Sequence, residues 1–211
     1  MLDKIGVDER GRKALISVEW ATLAYTLFTC VLILLFWQRM GQPMQLLEGR
    51  ALVLGGMALL WLFYWLRPNK YLMLLRYVFP LSLLGYWYPD TYEFCQLFPN
   101  LDHVFARADL ALFGCQPSLE FSRWLPEKVW SELFHMGYFA YYPMIAVTVL
   151  SPIFVDRRLF ARTAYVVLAS FFMYYLIYLF LPVAGPQYYF HAVGRGGDTK
   201  WTLPSLRRLL P

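Results

Sequence analysis

The sequence predicts an all-α, polytopic membrane helical bundle, and three observations carry that prediction. Five apolar stretches recur along the chain, over residues 20–37, 51–66, 71–88, 133–154 and 160–181, each close to the ~20 residues a helix needs to cross hydrocarbon. Composition agrees: 59% of the residues are hydrophobic and 16% charged, with a mean hydropathy of +0.44, too little polar surface to clothe a soluble domain of this length. The apolar runs also lack the period-two alternation of a membrane β-strand, so within lipid only helices satisfy their backbone groups. About five crossings in 211 residues leave one membrane domain over residues 1–211, with an outer loop at 89–132 and an outer tail at 182–211.

The first stretch reads as a retained helix rather than a cleaved signal peptide. Its run is too long, and Phe36-Trp37-Gln38-Arg39-Met40 offers no small-residue cleavage site. The second carries Gly55-Gly56-Met57-Ala58, a small-residue patch suited to close helix contact within the bundle or between copies. The third contains Arg76 near its cytoplasmic end, where the side chain is expected to snorkel to the interface.

The outer loop is longer than a simple connection needs. Asn100 is placed to cap a helix in which Leu101, Val104, Phe105, Ala108 and Leu112 share one face, with Asp102 in the first turn and Gly114 as the stop. A second short helix is predicted from Ser118 to just before Pro126. Both have an apolar and a charged face, so they are expected to lie in the interface as amphipathic helices roofing the bundle.

Orientation follows from lysine and arginine in the short connections. Lys4, Arg10, Arg12, Lys13, then Arg67 and Lys70, then Arg157, Arg158 and Arg162 fall on one side if the N-terminus is cytoplasmic. The other side holds Arg39 and Arg50 in its first loop. Its long loop is mainly acidic, with Asp90, Glu93, Asp102, Asp109, Glu120, Glu127 and Glu132 against Arg107, Arg123 and Lys128. The C-terminus is then outside, and a compact chain of this kind is expected in a bacterial inner membrane. The formal charge of +5 is spread over helix ends rather than gathered in a stripe, so it points to anionic lipid and away from nucleic acid.

Cys95 and Cys115 lie in the outer loop and Cys30 in the first helix. The outer pair reads equally as a disulfide or as two free thiols. No spacing resembles a zinc site, and neither metal nor cofactor is expected. The histidines, His103, His135 and His191, are all predicted on the outer side. His135 and Tyr138 belong to an aromatic stretch, Phe134 to Pro143. It reads either as an interfacial belt with a bonded core histidine or as the polar wall of a headgroup cavity, with Tyr174, Tyr175 and Tyr178 opposite. After the fifth stretch, Pro182 and Pro186 stop the helix, and Gly185 permits a backbone angle other residues avoid. The bend is expected to hold Gln187, Tyr188 and Tyr189 over the bundle mouth. The blander reading is an exit turn followed by interfacial aromatics.

Three segments together resemble a known family: Asp102 to Pro117, ending Leu112-Phe113-Gly114-Cys115-Gln116-Pro117; the Tyr138-to-Tyr142 run; and Pro182-Val183-Ala184-Gly185-Pro186-Gln187-Tyr188-Tyr189-Phe190. The chain looks like the inositol phosphorylceramide synthase-like, inositolphosphotransferase-like branch of the type 2 phosphatidic acid phosphatase superfamily. That resemblance implies a metal-independent membrane enzyme acting on lipid phosphates at the outer face. In it a histidine attacks phosphorus, basic residues hold the phosphate oxygens, a second histidine protonates the leaving group and an aspartate orients the nucleophile. The family's arginine near the Gly-Pro turn is matched here by Gln187, which donates hydrogen bonds but lacks the guanidinium charge and fork; Arg195 or Lys200 would compensate.

The family's Pro-Ser-x-His motif is approached only by Leu203-Pro204-Ser205-Leu206-Arg207, where Arg207 holds the histidine's place. An arginine stays protonated and cannot attack phosphorus. No catalytic residue is identified beyond a weak candidate, His191. The substrate-binding set is Gly185, Pro186, Gln187, Tyr188, Tyr189, Arg195, Ser205, His135 and Tyr138. The expectation is therefore a lipid phosphatase or phosphotransferase in truncated or incomplete form, with membrane lipids as partners. The alternative is a non-catalytic lipid-binding or scaffold protein. A channel or transporter subunit is disfavoured because no paired repeat of broken helices is evident.

Overall fold

A computed structural model describes residues 14–155 and 157–192. Its helices, in chain order, are α1 Ser17–Leu35, α2 Pro43–Leu66, α3 Lys70–Ser82, α4 Leu84–Cys95, α5 Asp102–Phe113, α6 Pro117–Trp124, α7 Lys128–Leu150, α8 Pro152–Val155, α9 Arg157–Phe180 and α10 Pro186–Ala192. No strand occurs among the described residues. Among the described residues four helices are long and apolar enough to cross a membrane: α1, α2, α7 and, within α9, Leu159–Phe180.

The stretch expected to cross third, 71–88, is divided. α3 has 13 residues and α4 has 12, each too short to cross hydrocarbon alone. Pro80 lies inside α3 and lacks the N–H its turn needs, and the helix ends two residues later at Ser82. α4 then runs through Pro89 to Cys95, into the expected outer loop.

The described residues form two compact units. The first runs to Glu93 and resumes over Tyr141–Leu176; the second comprises Phe94–Ala140 and the described residues from Ile177 onward.

In the first unit α1 buries Val18, Glu19, Thr22, Tyr25, Thr26, Thr29 and Ile33, a three-and-four spacing that makes one helix face. The threonines satisfy themselves along the helix. Their hydroxyls donate to Val18 O at 2.9 Å, Thr22 O at 2.7 Å and Thr26 O at 3.0 Å, a common way to seat polar residues in an apolar bundle. Around this face pack Val53, Met57 and Tyr64 of α2, Met73 and Tyr77 of α3, Trp87 of α4 and Leu168 and Phe172 of α9. Tyr25 stacks on Phe172 at 4.3 Å and meets the Trp87 ring edge-on at 5.3 Å. The small-residue patch of α2 is divided in use: a Cβ on Gly56 would come within 2.8 Å of Phe79 Cζ, whereas one on Gly55 would meet open space.

Two arginines depart from their expected places. Arg76 does not snorkel; it is fully buried and pairs with Glu19, Nε to Oε1 at 2.6 Å and Nη2 to Oε2 at 2.5 Å, with its guanidinium 5.1 Å over the Tyr64 ring. Glu19 also accepts from Ile16 N at 2.9 Å. A partner inside the bundle removes the reason for the side chain to reach water. Arg50 lies within α2 rather than in an outer loop. It donates from Nε to Thr29 Oγ1 at 3.0 Å and from Nη1 to Leu46 O at 2.8 Å and Asp90 Oδ2 at 3.0 Å.

In the second unit α5 and α6 occur where helix signals place them. The N-cap of α5 is Leu101, without a side-chain cap, rather than the expected Asn100, which stands one residue earlier and accepts from Asp102 N at 2.8 Å through Oδ1; Gly114, at φ 67°, closes α5 in the left-handed region. Pro117 opens α6. Gln116 Nε2 donates to Ala106 O at 2.7 Å, tying the two helices into a hairpin.

Candidate functional site

The Pro182–Gly185 turn is built where α9 runs out. Leu181 N still closes on Ile177 O at 2.8 Å, but Pro182 brings no N–H, so the helix stops. The freed Pro182 carbonyl accepts from Leu101 N at 2.9 Å, joining the turn to the start of α5. Two of the following backbone N–H groups are taken by one buried carboxylate: Ala184 N donates to Asp102 Oδ2 and Gly185 N to Asp102 Oδ1, each at 3.0 Å. Asn100 Nδ2 adds a third donor to Oδ2 at 2.8 Å. Three N–H groups thus replace the water that burial removes from Asp102.

Gly185 adopts φ 90°, a conformation costly for any residue with a Cβ. Its carbonyl then accepts from Tyr188 N at 3.1 Å and Tyr189 N at 3.0 Å, and Pro186 supplies a first helical residue that needs no partner for an N–H. α10 therefore starts from a fixed point. Along it Tyr188 is exposed, Tyr189 half-buried and Phe190 buried, the last two with ring centroids 5.3 Å apart.

Chemically, this arrangement positions rather than reacts. The Ala184 and Gly185 N–H groups are committed to Asp102, so what this pair offers a ligand is the placement of α10. Gln187 and His191 lie on α10 by backbone, and the described side chains do not include theirs. Arg195, Lys200, Ser205 and Arg207 lie outside the described residues.

The other nominated residues are not drawn to this turn. His135 is exposed and its Nδ1 donates to Ser131 O of its own helix at 2.6 Å. A carbonyl only accepts, so the proton sits on Nδ1. Tyr138 is 71% exposed. Of the tyrosines expected opposite them, Tyr174 and Tyr178 are exposed, whereas Tyr175 is a core residue of the first unit, its hydroxyl donating to Leu84 O at 2.8 Å.

The cysteines Cys30, Cys95 and Cys115 are free, so the bridge left open by the sequence is not formed. Cys95 Sγ donates to Tyr178 O at 3.1 Å, and burial pushes its thiol pKa upward. Among the described residues no group of three His, Cys, Asp or Glu side chains is arranged to hold a metal.

Asp102 is the residue whose role sequence reasoning missed, having been read only as a first-turn acid. The available signal was indirect: a Pro-x-x-Gly exit turn leaves N–H groups that demand an acceptor, and nothing local says which acid supplies it. No family model, no curated protein and no solved structure matches the chain.

Proposed function

We propose that this chain provides the membrane scaffold and the first phosphate-facing segment of a lipid phosphatase or phosphotransferase acting on lipid phosphate headgroups at the outer membrane face. The observation that carries the reading is the Asp102-held turn. Phosphoryl transfer depends on groups held still against the phosphate, and this turn fixes the start of α10 by hydrogen bonds to a buried carboxylate. It coincides with the segment, Pro182 to Phe190, whose sequence resembles the lipid phosphatase family. In this reading the substrate contacts come from Gln187, Tyr188 and Tyr189 with Arg195 and Ser205. His135 and Tyr138, which are not drawn to the turn, are left out of this site.

The same reading counts residues 71–88, divided between α3 and α4, as a fifth, broken crossing, with the N-terminus cytoplasmic in a bacterial inner membrane. The chemistry itself calls for a histidine nucleophile in a Pro-Ser-x-His setting, and Arg207 occupies that position here. These 211 residues expressed alone are therefore expected to release no phosphate from phosphatidic acid above an empty-membrane control.

The test is made on the native protein from its source membrane, given labelled phosphatidic acid with and without inositol. Turnover with an acid-labile phosphohistidine supports the enzyme reading. Lipid held at fixed stoichiometry without turnover overturns it in favour of a lipid-binding scaffold.

A further inference from the structure

We infer that the apolar face of α5, continued by α6, rests in the bilayer at the boundary between headgroups and acyl chains, with phospholipid as its occupant. α5 is packed inside out relative to a water-facing helix. Its buried residue is Asp102, and Ala106 and Asp109, on the same edge, are half-buried. Its apolar stripe points away from its unit, with Val104 47%, Phe105 50% and Leu112 77% exposed. A stripe of this width left facing water would be an aggregation liability; against lipid it is a favourable surface. His103 and Arg107 lie roughly on the opposite side of the helix, where Arg107 Nε donates to His103 O at 3.3 Å. α6 adds Phe121 and Trp124, three residues apart and both exposed.

The depth of this hairpin is fixed independently of its composition. Its start is pegged to the end of a membrane-length helix, because Leu101 N and Asp102 bond Pro182, Ala184 and Gly185, which directly follow α9. Its end is equally constrained, since only residues 125–127 separate α6 from α7, a second membrane-length helix. Both ends of α5–α6 therefore lie at the level where spanning helices leave the hydrocarbon. At that level an apolar stripe with exposed Phe and Trp meets the interface suited to aromatic rings. The placement does not depend on lipid phosphate being the substrate.

Photo-crosslinking tests it in the full chain in native-like phospholipid vesicles, with p-benzoylphenylalanine introduced singly at Phe105, Leu112, Arg107 and Leu59. Leu59 is 55% exposed on α2 and serves as the lipid-facing reference. The expected result is phospholipid-mass adducts at Phe105 and Leu112 within about three-fold of the Leu59 yield, and at least about five-fold less at Arg107. Adducts to a second copy or to another protein, or yields no higher than at Arg107, would overturn the inference. Leu112, at 77%, is more exposed than Phe105, so its label leaves the fold intact if that at Phe105 does not.

Discussion

The two units bury charge in different ways, and the difference separates what holds the molecule together from what it presents. In the first unit Glu19 meets Arg76 and Asp90 meets Arg50. Opposite side-chain charges on different helices neutralise one another and fix how those helices pack. In the second unit Asp102 is held by N–H donors, two of them from backbone, so a carboxylate orders a turn. A buried ion pair is a weak source of net stability but costly to break singly. A carboxylate on backbone N–H groups stabilises only the segment it holds.

The largest effect is expected from breaking the first arrangement. Arg76→Met leaves Glu19 buried without its cation and should destabilise the protein by about 3–5 kcal/mol, whereas Arg76→Met with Glu19→Gln should recover most of that loss. Thermal unfolding in detergent, followed by the helical signal, measures both. Equal losses in the single and double variants would show that the pair is not coupled.

Next in size is the turn. Asp102→Ala strands the N–H groups of Ala184 and Gly185 at a cost of about 1–3 kcal/mol. The loss should be local: limited proteolysis should accelerate between residues 182 and 192 with little change in the melting of α1 to α3. A matching drop in global melting would instead assign Asp102 to the core.

A smaller effect separates the neighbouring glycines of α2. Gly56→Ala meets Phe79 and should cost about 1 kcal/mol, while Gly55→Ala, facing open space, should be neutral or stabilising by up to about 1 kcal/mol. The smallest effect concerns thiols. Non-reduced protein should titrate three free thiols, and Cys95 should alkylate more slowly than Cys115, because burial raises its pKa.

Much of the helical framework was legible because it rests on local signals. Long apolar runs mark α1, α2, α7 and α9, while Gly114 and Pro117 mark the end of α5 and the start of α6. The division at Leu83 was less legible, since apolar residues continue through Pro80 and only the helix ladder registers its missing N–H. The arginines were misread because their partners lie far along the chain, Arg76 with Glu19 and Arg50 with Asp90. A positive residue near a helix end looks the same whether it snorkels or pairs inward. The same limit hid Asp102: its place in the first turn of α5 is visible in sequence, but its bond to a turn over eighty residues away is not. His135 shows the converse, since its partner is a carbonyl four residues earlier, which any helix offers.

Whether Asp102 holds the Gly-Pro turn is read from amide hydrogen exchange at Ala184 and Gly185. Both amides should exchange slowly in the unaltered chain. In Asp102→Ala, with global stability unchanged, exchange should be faster by about ten-fold or more, the equivalent of about 1.4 kcal/mol of local protection. Exchange at the same rate in both proteins would mean that the carboxylate does not order the turn, and the functional reading built on it would be contradicted.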